Sequence, residues 1–440
     1  MPRHTAWLVL RAGSATPLRL VDEAARSNGL DARDRGLLRH LVGTEIRQRG
    51  LLRALVARFA KGKPNADLST HLRLGLAQLF LLDRIPPHAA VSETVRAVTD
   101  SLGLSKGRYV NAVLRESMRH AREGNCGDPR RDLVGRPWHF DEPIFRDPEE
   151  HPLLWMEDAL SFPAQLGKRW RKRLGPEETR RLAELALEDP PLSVVVLEGE
   201  REEVFGPDGT ELTPSVTHPR ILLAPAEATG AIVDSAPFRE GRITIQGEAA
   251  LRACELVDAR AGEQVLDLCA APGGKSAMLA RSGARVVSLD LSAHRLARLG
   301  GGLARVAPEA TPLAAATDGT RGLRPGTTFD AVLLDAPCSN TGVLGARASA
   351  KWRFGPQSLR ELVALQTRLL HEAAGHVRPG GRLVFSTCSL EPEEGERIVR
   401  SFLDETARWS LDRSHAIVPD PRAAGPSDGG FAARLVLGDS

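Results

Sequence analysis

The sequence predicts a multidomain protein: an all-α bundle, a small α+β module, and an α/β domain built on a mostly parallel sheet. Three observations predict it. Apolar residues recur at helical spacing through roughly the first 120 positions. A middle stretch mixes helical periods with two short apolar runs. From about Arg242 onward, short continuous apolar strands alternate with amphipathic helices, the pattern of a parallel sheet covered on both faces. A length of 440 residues suits about three domains at roughly 150 residues each.

Taken in order, residues 1 to 122 read as a helical bundle. Leu18, Val21 and Ala25, then Leu37, Leu38, Leu41, Val42 and Ile46, mark the first apolar faces. Further helices fit Leu51 to Phe59, Leu68 to Leu82, Ala89 to Leu102 and Tyr109 to Arg119, with breaks at Asn28-Gly29, Gly62 to Pro64 and Pro86-Pro87. Residues 123–151 are rich in Gly, Pro and charge and lack a period, so they read as a linker whose Trp138 and Phe140 can adhere to a neighbouring surface. Residues 152–240 carry helices over Leu153 to Leu160, Ala164 to Leu174 and Pro176 to Leu187, the strand-like run LSVVVLE, a turn at Gly206-Pro207-Asp208-Gly209 and the run ILLA at 221–224. Residues 241–440 hold the strands QVLDL (264–268), RVVSLD (285–290), PLAAA (312–316), FDAVLLD (329–335) and RLVFST (382–387).

Composition narrows the function. Hydrophobic residues at 42% and charged residues at 26% exclude wholesale disorder, collagen and coiled coil. No apolar run reaches the roughly 18 residues of a membrane span, and the apolar stretch Ala6 to Leu10 is shorter than a secretion-signal core of about 7–15 residues. The five cysteines form no CxxC pair, which argues for reduced thiols in a cytoplasm, with neither a disulfide framework nor a metal site. The net charge of +3 hides a split: residues 1–130 hold 22 Lys and Arg against 12 Asp and Glu, the rest 37 against 44. A basic module on an acidic body suits a polyanion partner, and a face that only keeps the chain soluble is the alternative. A second basic cluster, Arg169, Arg171, Lys172 and Arg173 around Trp170, suits RNA phosphates or a solvated helix face equally well.

Ligands on such sheets bind at the carboxyl ends of the strands. The first strand ends in Asp267-Leu268-Cys269-Ala270-Ala271-Pro272-Gly273-Gly274-Lys275-Ser276. Its small residues and glycines let a turn approach a ligand, but it matches neither phosphate-binding signature, so it suits a nucleoside with an amino-acid end. The second strand ends at Asp290, placed to hold a ribose diol; capping of the next helix by Asp290 or Ser292 is the competing role. The third ends at Asp318-Gly319, where an acid can meet an adenine amine or simply make a turn. The fourth ends in Asp335-Ala336-Pro337-Cys338-Ser339 and the fifth in Ser386-Thr387-Cys388-Ser389. Two cysteines at strand ends over one cleft suggest a nucleophile with a helper thiol; each alone reads as a core residue. Cys126 and Cys254 carry no functional signal.

These residues carry a resemblance. VLDLCAAPGGKS at 265–276, LDAPCSNTGVL at 334–344, Lys351-Trp352, RPGGRLVFSTCS at 378–389 and Pro392-Glu393-Glu394 resemble the RsmB/NOP family of RNA cytosine-5 methyltransferases. The front resembles its bacterial RsmB (Fmu or Sun) branch: RYVNAVLRE at 108–116 is similar to the last helix of a NusB-like domain, FPAQLGKRW at 162–170 to the entry of a small RNA-binding subdomain, and DGGFAARL at 428–435 to the final strand.

The resemblance implies a Rossmann-like class I methyltransferase domain acting on RNA, small-subunit ribosomal RNA above all; separately, a monomer is expected. It implies S-adenosylmethionine as cofactor, held by Cys269, Ala270, Ala271, Pro272, Gly273, Gly274 and Lys275, with Asp290 on the ribose, Asp318 near the adenine and Asp335 at the cleft floor. It implies Cys388 as nucleophile, Cys338 as the thiol that helps release product, and Arg347 and Lys351 among the RNA contacts. Three segments depart from the family pattern: Val195-Val196-Leu197 in place of Arg-Val-Asn, Gln246-Gly247 in place of Gln-Asp, and Gly345 to Ser349 in place of Arg-Arg-x-Pro-Asp. The competing functions are the same chemistry on transfer RNA, an RNA-binding assembly factor without catalysis, and DNA cytosine methylation.

Overall fold

The structure is a computed structural model describing residues 2–201 and 212–438. The turn expected at Gly206 to Gly209 lies outside the described residues. The chain forms two compact units, residues 1–188 with 347–355, and residues 189–346 with 356–440.

The first unit opens with seven α-helices: Pro2–Arg11, Val21–Ser27, Ala32–Arg47, Arg49–Phe59, Ala66–Phe80, Pro87–Leu102 and Leu104–His120. Their starts follow local chemistry, as the side chains of Asp31 and Asn65 accept the Asp34 and Leu68 amides at two N-termini. Trp7, Leu38, Leu41, Val42, Ile46 and Leu74 share one core. Inside it, Glu45 is fully buried between Arg49 and Arg73, at 2.8 and 2.7 Å. Burial alone would raise its carboxyl; the two guanidiniums hold it below the usual range.

The expected linker at 123–151 is instead folded onto this bundle. Strands β1 (Ala121–Glu123) and β2 (Trp138–Phe140) pair antiparallel. Phe140 is buried against Phe59 and Phe80, and Trp138 meets the edge of Phe80. Burying such a ring contributes about 1.5–3 kcal/mol, which explains why a segment without periodicity still has one place to sit. The helices Pro152–Ala159, Ala164–Leu174 and Pro176–Leu185 belong to this unit as well. The expected 152–240 module is therefore divided: its helices join the bundle and its strands join the second unit.

In the second unit, β3 (Leu192–Val196), β4 (Thr213–Pro214), β5 (Ile221–Ala224) and β6 (Ile243–Ile245) form an antiparallel sheet in the order β4-β5-β3-β6. One of its faces packs Val195, Ile221 and Leu223 on Leu251. The large sheet holds β7 (Gln264–Leu268), β8 (Arg285–Asp290), β9 (Leu313–Ala316), β10 (Phe329–Asp335), β11 (Val377–Thr387), β12 (Trp409–Ile417) and β13 (Gly430–Leu437), in the order β12-β13-β11-β10-β7-β8-β9. The strands from β11 through β9 run parallel, while β13 pairs antiparallel with both β11 and β12. The strand order reverses between β7 and β10, the switch point where the carboxyl ends open a crevice. The helices Glu248–Val257, Gly274–Ala280 and Leu299–Val306 cover one face, and Pro356–Ala374 and Glu396–Glu405 the other.

Candidate active site

The crevice is built from the ends of β7, β8, β10 and β11. After β7 the chain turns sharply. Cys269 takes φ +62° and Gly273 φ +103°, and a Cβ on Gly273 would lie 2.8 Å from Leu299 Cγ. Only glycine suits that left-handed, crowded position. Burial drives the Cys269 thiol up to about 12, so it stays protonated and inert as a packing residue. Asp267, fully buried beneath the loop, accepts from Ser276 Oγ at 2.6 Å, and burial drives its carboxyl up to about 7.

Asp290, 5% exposed, ties this loop to the end of β8. Oδ2 accepts the Ala271 amide at 3.1 Å and Oδ1 the Ser292 amide at 2.9 Å. The helix cap is Ser292, whose Oγ accepts the Arg295 amide, so Asp290 is not that helix's cap. Asp318 is half exposed and ion-paired with Arg321 and Arg368 at 3.0 and 3.1 Å, and Gly319 makes the expected turn at φ +58°. At the end of β10, Asp335 Oδ2 accepts from Lys275 Nζ at 2.7 Å and Oδ1 from Ser386 Oγ at 2.9 Å. Burial alone would lower the Lys275 ammonium; Asp335 instead holds it charged.

Beyond β10 and β11 the two cysteines face each other. Cys338 Sγ lies 3.2 Å from Cys388 Sγ, well beyond the roughly 2.05 Å of a disulfide. The hydrogen bond shared with Cys388, burial, and the charges of Cys388 and Glu394 all push the Cys338 thiol upward. Asn340, at φ +62°, donates from Nδ2 to the Cys338 carbonyl at 2.7 Å and turns Oδ1 to Cys388 Sγ at 3.2 Å.

Sequence reasoning assigned no role to the residue that joins the two cysteine loops. Glu394 is fully buried. It accepts from the Ser339 amide at 2.9 Å, Ser389 Oγ at 2.6 Å, Gln366 Nε2 at 3.0 Å and also Ser339 Oγ. An acid six residues after a strand-end cysteine was the available signal, but spacing alone does not reveal a carboxylate shared by two loops. Asn340 was missed for the same reason.

The structure places the expected RNA contacts differently from one another. Arg169 and Arg171 are half-buried, Lys172 and Arg173 exposed, on the helix Ala164–Leu174. Trp170 is 1% exposed and packs on Phe162, so it supports the core and does not stack on a base. Arg347 is exposed, but Lys351 is not a surface cation. It is fully buried in the first unit, with Nζ donating to the Arg47 carbonyl at 2.8 Å, while Trp352 Nε1 donates to the Ile46 carbonyl at 2.7 Å. Its expected contact with RNA is corrected on that ground. Of the departing segments, Val195 and Val196 are core residues. Gly247 leaves room for Asp428, whose carboxylate would lie 2.0 Å from a Cβ there.

The fold and the crevice define a class: a Rossmann-like methyltransferase domain carried in one chain with a NusB-type helical domain. The 16S rRNA methyltransferase RsmB/F family matches residues 254–429, and the NusB family matches residues 11–119. The chain is 33% identical to the ribosomal RNA small subunit methyltransferase B of Klebsiella pneumoniae subsp. pneumoniae, covering 76% of this chain and 73% of that relative. It is 32% identical to the protein of that name from Pseudomonas putida, over 87% and 84%. The crystal structure of PH0851 shares the fold at a TM-score of 0.72, with 24% identity over 99% of this chain and 98% of that one. NSun6 from Pyrococcus horikoshii shares it at 0.53, with 18% identity over 64% and 99%. The chain belongs to the RsmB/F family of 16S ribosomal RNA methyltransferases, and it is an RNA methyltransferase that uses S-adenosylmethionine.

Proposed function

We propose that this enzyme methylates carbon 5 of a cytosine in small-subunit ribosomal RNA through a covalent bond between Cys388 and the base. The observation that carries the proposal is the facing pair Cys338 and Cys388 on adjacent strand ends. A cytosine carbon 5 is a poor nucleophile. A thiolate adding to carbon 6 turns the ring into an enamine, which splits one hard step into easier ones.

The crevice residues fit S-adenosylmethionine. Small residues from Cys269 to Gly274 allow close backbone approach, and Asp290, beside its two backbone donors and the Arg295 guanidinium 3.6 Å from Oδ2, has carboxylate capacity left for a ribose diol. Asp318 is the carboxylate at the end of β9 for an adenine amine. When bound, the cofactor supplies an electrophilic methyl group.

The chain's own residues do the rest. Cys388 attacks carbon 6. Asp335, fixed by Lys275 and Ser386, accepts a hydrogen bond from the cytosine's exocyclic amine and orients the ring. After methyl transfer, a base near Cys338 takes the proton from carbon 5, the C–H electron pair restores the 5,6 double bond, and the carbon 6–sulfur bond breaks. Cys338, kept protonated by its surroundings, donates its S–H to the departing Cys388 thiolate and so makes it a better leaving group. The base must leave its stack to reach the crevice, which suits a single-stranded or loop target. Bisulfite sequencing of ribosomal RNA from a deletion strain, with and without the restored gene, tests the proposal. One small-subunit cytosine should be protected only when Cys388 is present; no difference at any cytosine overturns it.

A further inference from the structure

The folded extension between β1 and the helix Pro152–Ala159 has no part in the chemistry above, yet it gathers three side chains of metal-ligating type. Cys126 Sγ, a carboxylate oxygen of Asp132 and a ring nitrogen of His139 all lie within 4.8 Å of one another. They come from a Cys-x5-Asp-x6-His run, a spacing that carries no familiar ligand signature and so gives no warning in the sequence. The backbone brings them together. Asp132 and His139 sit opposite each other in an antiparallel bridge, and the Cys126 loop folds back over both. Cys126 Sγ is already 3.1 Å from Asp132 Oδ1. A tetrahedral zinc ion with bonds of roughly 2.3 Å to sulfur and 2.1 Å to oxygen needs about 3.6 Å between those atoms, an opening of about half an ångström.

Two further features favour a metal over a loop closed only by hydrogen bonds. His139 Nδ1 makes its bond to the Gly124 carbonyl at 2.8 Å, outside the cluster. In the neutral tautomer that bond puts the hydrogen on Nδ1 and leaves the Nε2 lone pair for an ion, with the Gly124 carbonyl as outer-sphere partner. Asp132 is also held rigidly, its two oxygens accepting the Cys126 and Gly127 amides at 2.9 and 2.8 Å, so the carboxylate is oriented before any ion arrives. A thiolate and a carboxylate together balance a dication, and the sulfur and imidazole donors select a zinc-type ion over magnesium or calcium.

We propose that Cys126, Asp132 and His139 form a three-ligand site for a zinc-type divalent ion, with a solvent molecule in the fourth position, and that the ion pins residues 124–140 against the helical bundle. Binding converts the Cys126 thiol to a thiolate and releases its proton to solvent.

The experiment uses the full-length protein loaded with Zn2+ or Co2+ and dialysed against trace metal. Stoichiometry is read by elemental analysis, the thiolate-to-cobalt absorption band by spectroscopy, and the melting temperature with and without chelator. Cys338 and Cys388 are a facing pair of thiols that could also take the ion, so a Cys338→Ser/Cys388→Ser protein is measured in parallel. The expected result is one ion per chain, a thiolate–cobalt band that survives in the double variant, and loss of at least nine-tenths of both in Cys126→Ser and in His139→Ala. Serine preserves the hydrogen bond to Asp132 and position 126 is exposed, so Cys126→Ser still folds. The proposal fails if wild type binds well under one ion, or if the band survives Cys126→Ser and vanishes with Cys338 and Cys388. It also fails if chelator leaves the melting temperature of wild type unchanged.

Discussion

Cys338 Sγ and Cys388 Sγ stand 3.2 Å apart at the ends of adjacent parallel strands, close enough to share a proton and too far to be bonded. Cys338 is held as a thiol by its hydrogen bond to Cys388, by burial and by Glu394. The order of steps then separates their variants. Cys388→Ala should lose methylation and form no adduct. Cys338→Ala should still attack and accept the methyl group but release slowly, so a protein–RNA adduct should survive a denaturing gel. An adduct in Cys388→Ala but not in Cys338→Ala would reverse the roles, and full activity in both would end the covalent mechanism.

Glu394 binds both cysteine loops through Ser339 and Ser389, so it acts as a positioning residue. Glu394→Gln puts a donor amide against groups that already donate. We predict kcat down by about 100-fold, the scale of an ångström-sized misplacement, with S-adenosylmethionine affinity within twofold of wild type. Equal loss of cofactor affinity would show that the variant disturbs the whole crevice and not the cysteine geometry alone.

Much of this was legible in the sequence. Continuous apolar runs marked β7, β8 and β10 with the same residue bounds that the structure shows, because buried parallel strands need apolar side chains on both faces. β12 was not legible: WSLDRSHAI is a largely exposed edge strand with no apolar period. The extension at 123–151 was misread because its anchors, Phe140, Leu133 and Phe145, are isolated and follow no repeat. Lys351 reads as an RNA-facing cation in the sequence because its burial depends on the backbone that brings its Nζ to the Arg47 carbonyl. The cysteine ends were visible; Glu394 joins them only through folding, and its spacing from Cys388 does not reveal a carboxylate shared by two loops.

Asp290→Ala should weaken S-adenosylmethionine binding by about 1.5–3 kcal/mol, the range for a hydrogen bond to a charged group. Asp290 also anchors the Ala271 amide, so titration calorimetry is paired with a melting curve. Unchanged affinity in a folded variant would remove the ribose role and leave only the loop contact.

Asp267 makes stability depend on pH. Its folded carboxyl sits at about 7, above the roughly 3.9 of an unfolded chain. The folded state therefore holds the proton longer. Its stabilising share is complete below about pH 4, falls as pH rises toward 7 and is gone above that. Asp267→Asn should flatten the fall in unfolding free energy between pH 5 and 8 by on the order of 2 kcal/mol, leaving the smaller share of Asp428, whose carboxyl burial lifts to about 6. An unchanged slope in denaturant titrations would show that Asp267 ionises normally in the fold.

Lys351 offers the sharpest contrast between the residue's sequence pattern and its place in the fold. A cation on an RNA surface and a cation buried beneath Arg47 predict different consequences for Lys351→Met. As a phosphate contact, its loss would lower the log–log salt slope of RNA binding by roughly 0.7. As a buried group it contributes no such contact, and the slope should stay the same. Burial, then the charges of Arg47 and Arg49, hold its ammonium well below the usual lysine range. A lysine depressed in the folded state stabilises it fully only above the unfolded value of about 10.4, and loses that share as pH falls toward the folded value. Methionine fills similar volume without a charge to desolvate, though it removes the hydrogen bond to the Arg47 carbonyl, at a cost of about 1 kcal/mol. Wild type should therefore gain stability relative to Lys351→Met as pH rises from 7 to 10, while RNA affinity at fixed salt is unchanged. A reduced salt slope with no pH-dependent difference in stability would return Lys351 to the RNA surface.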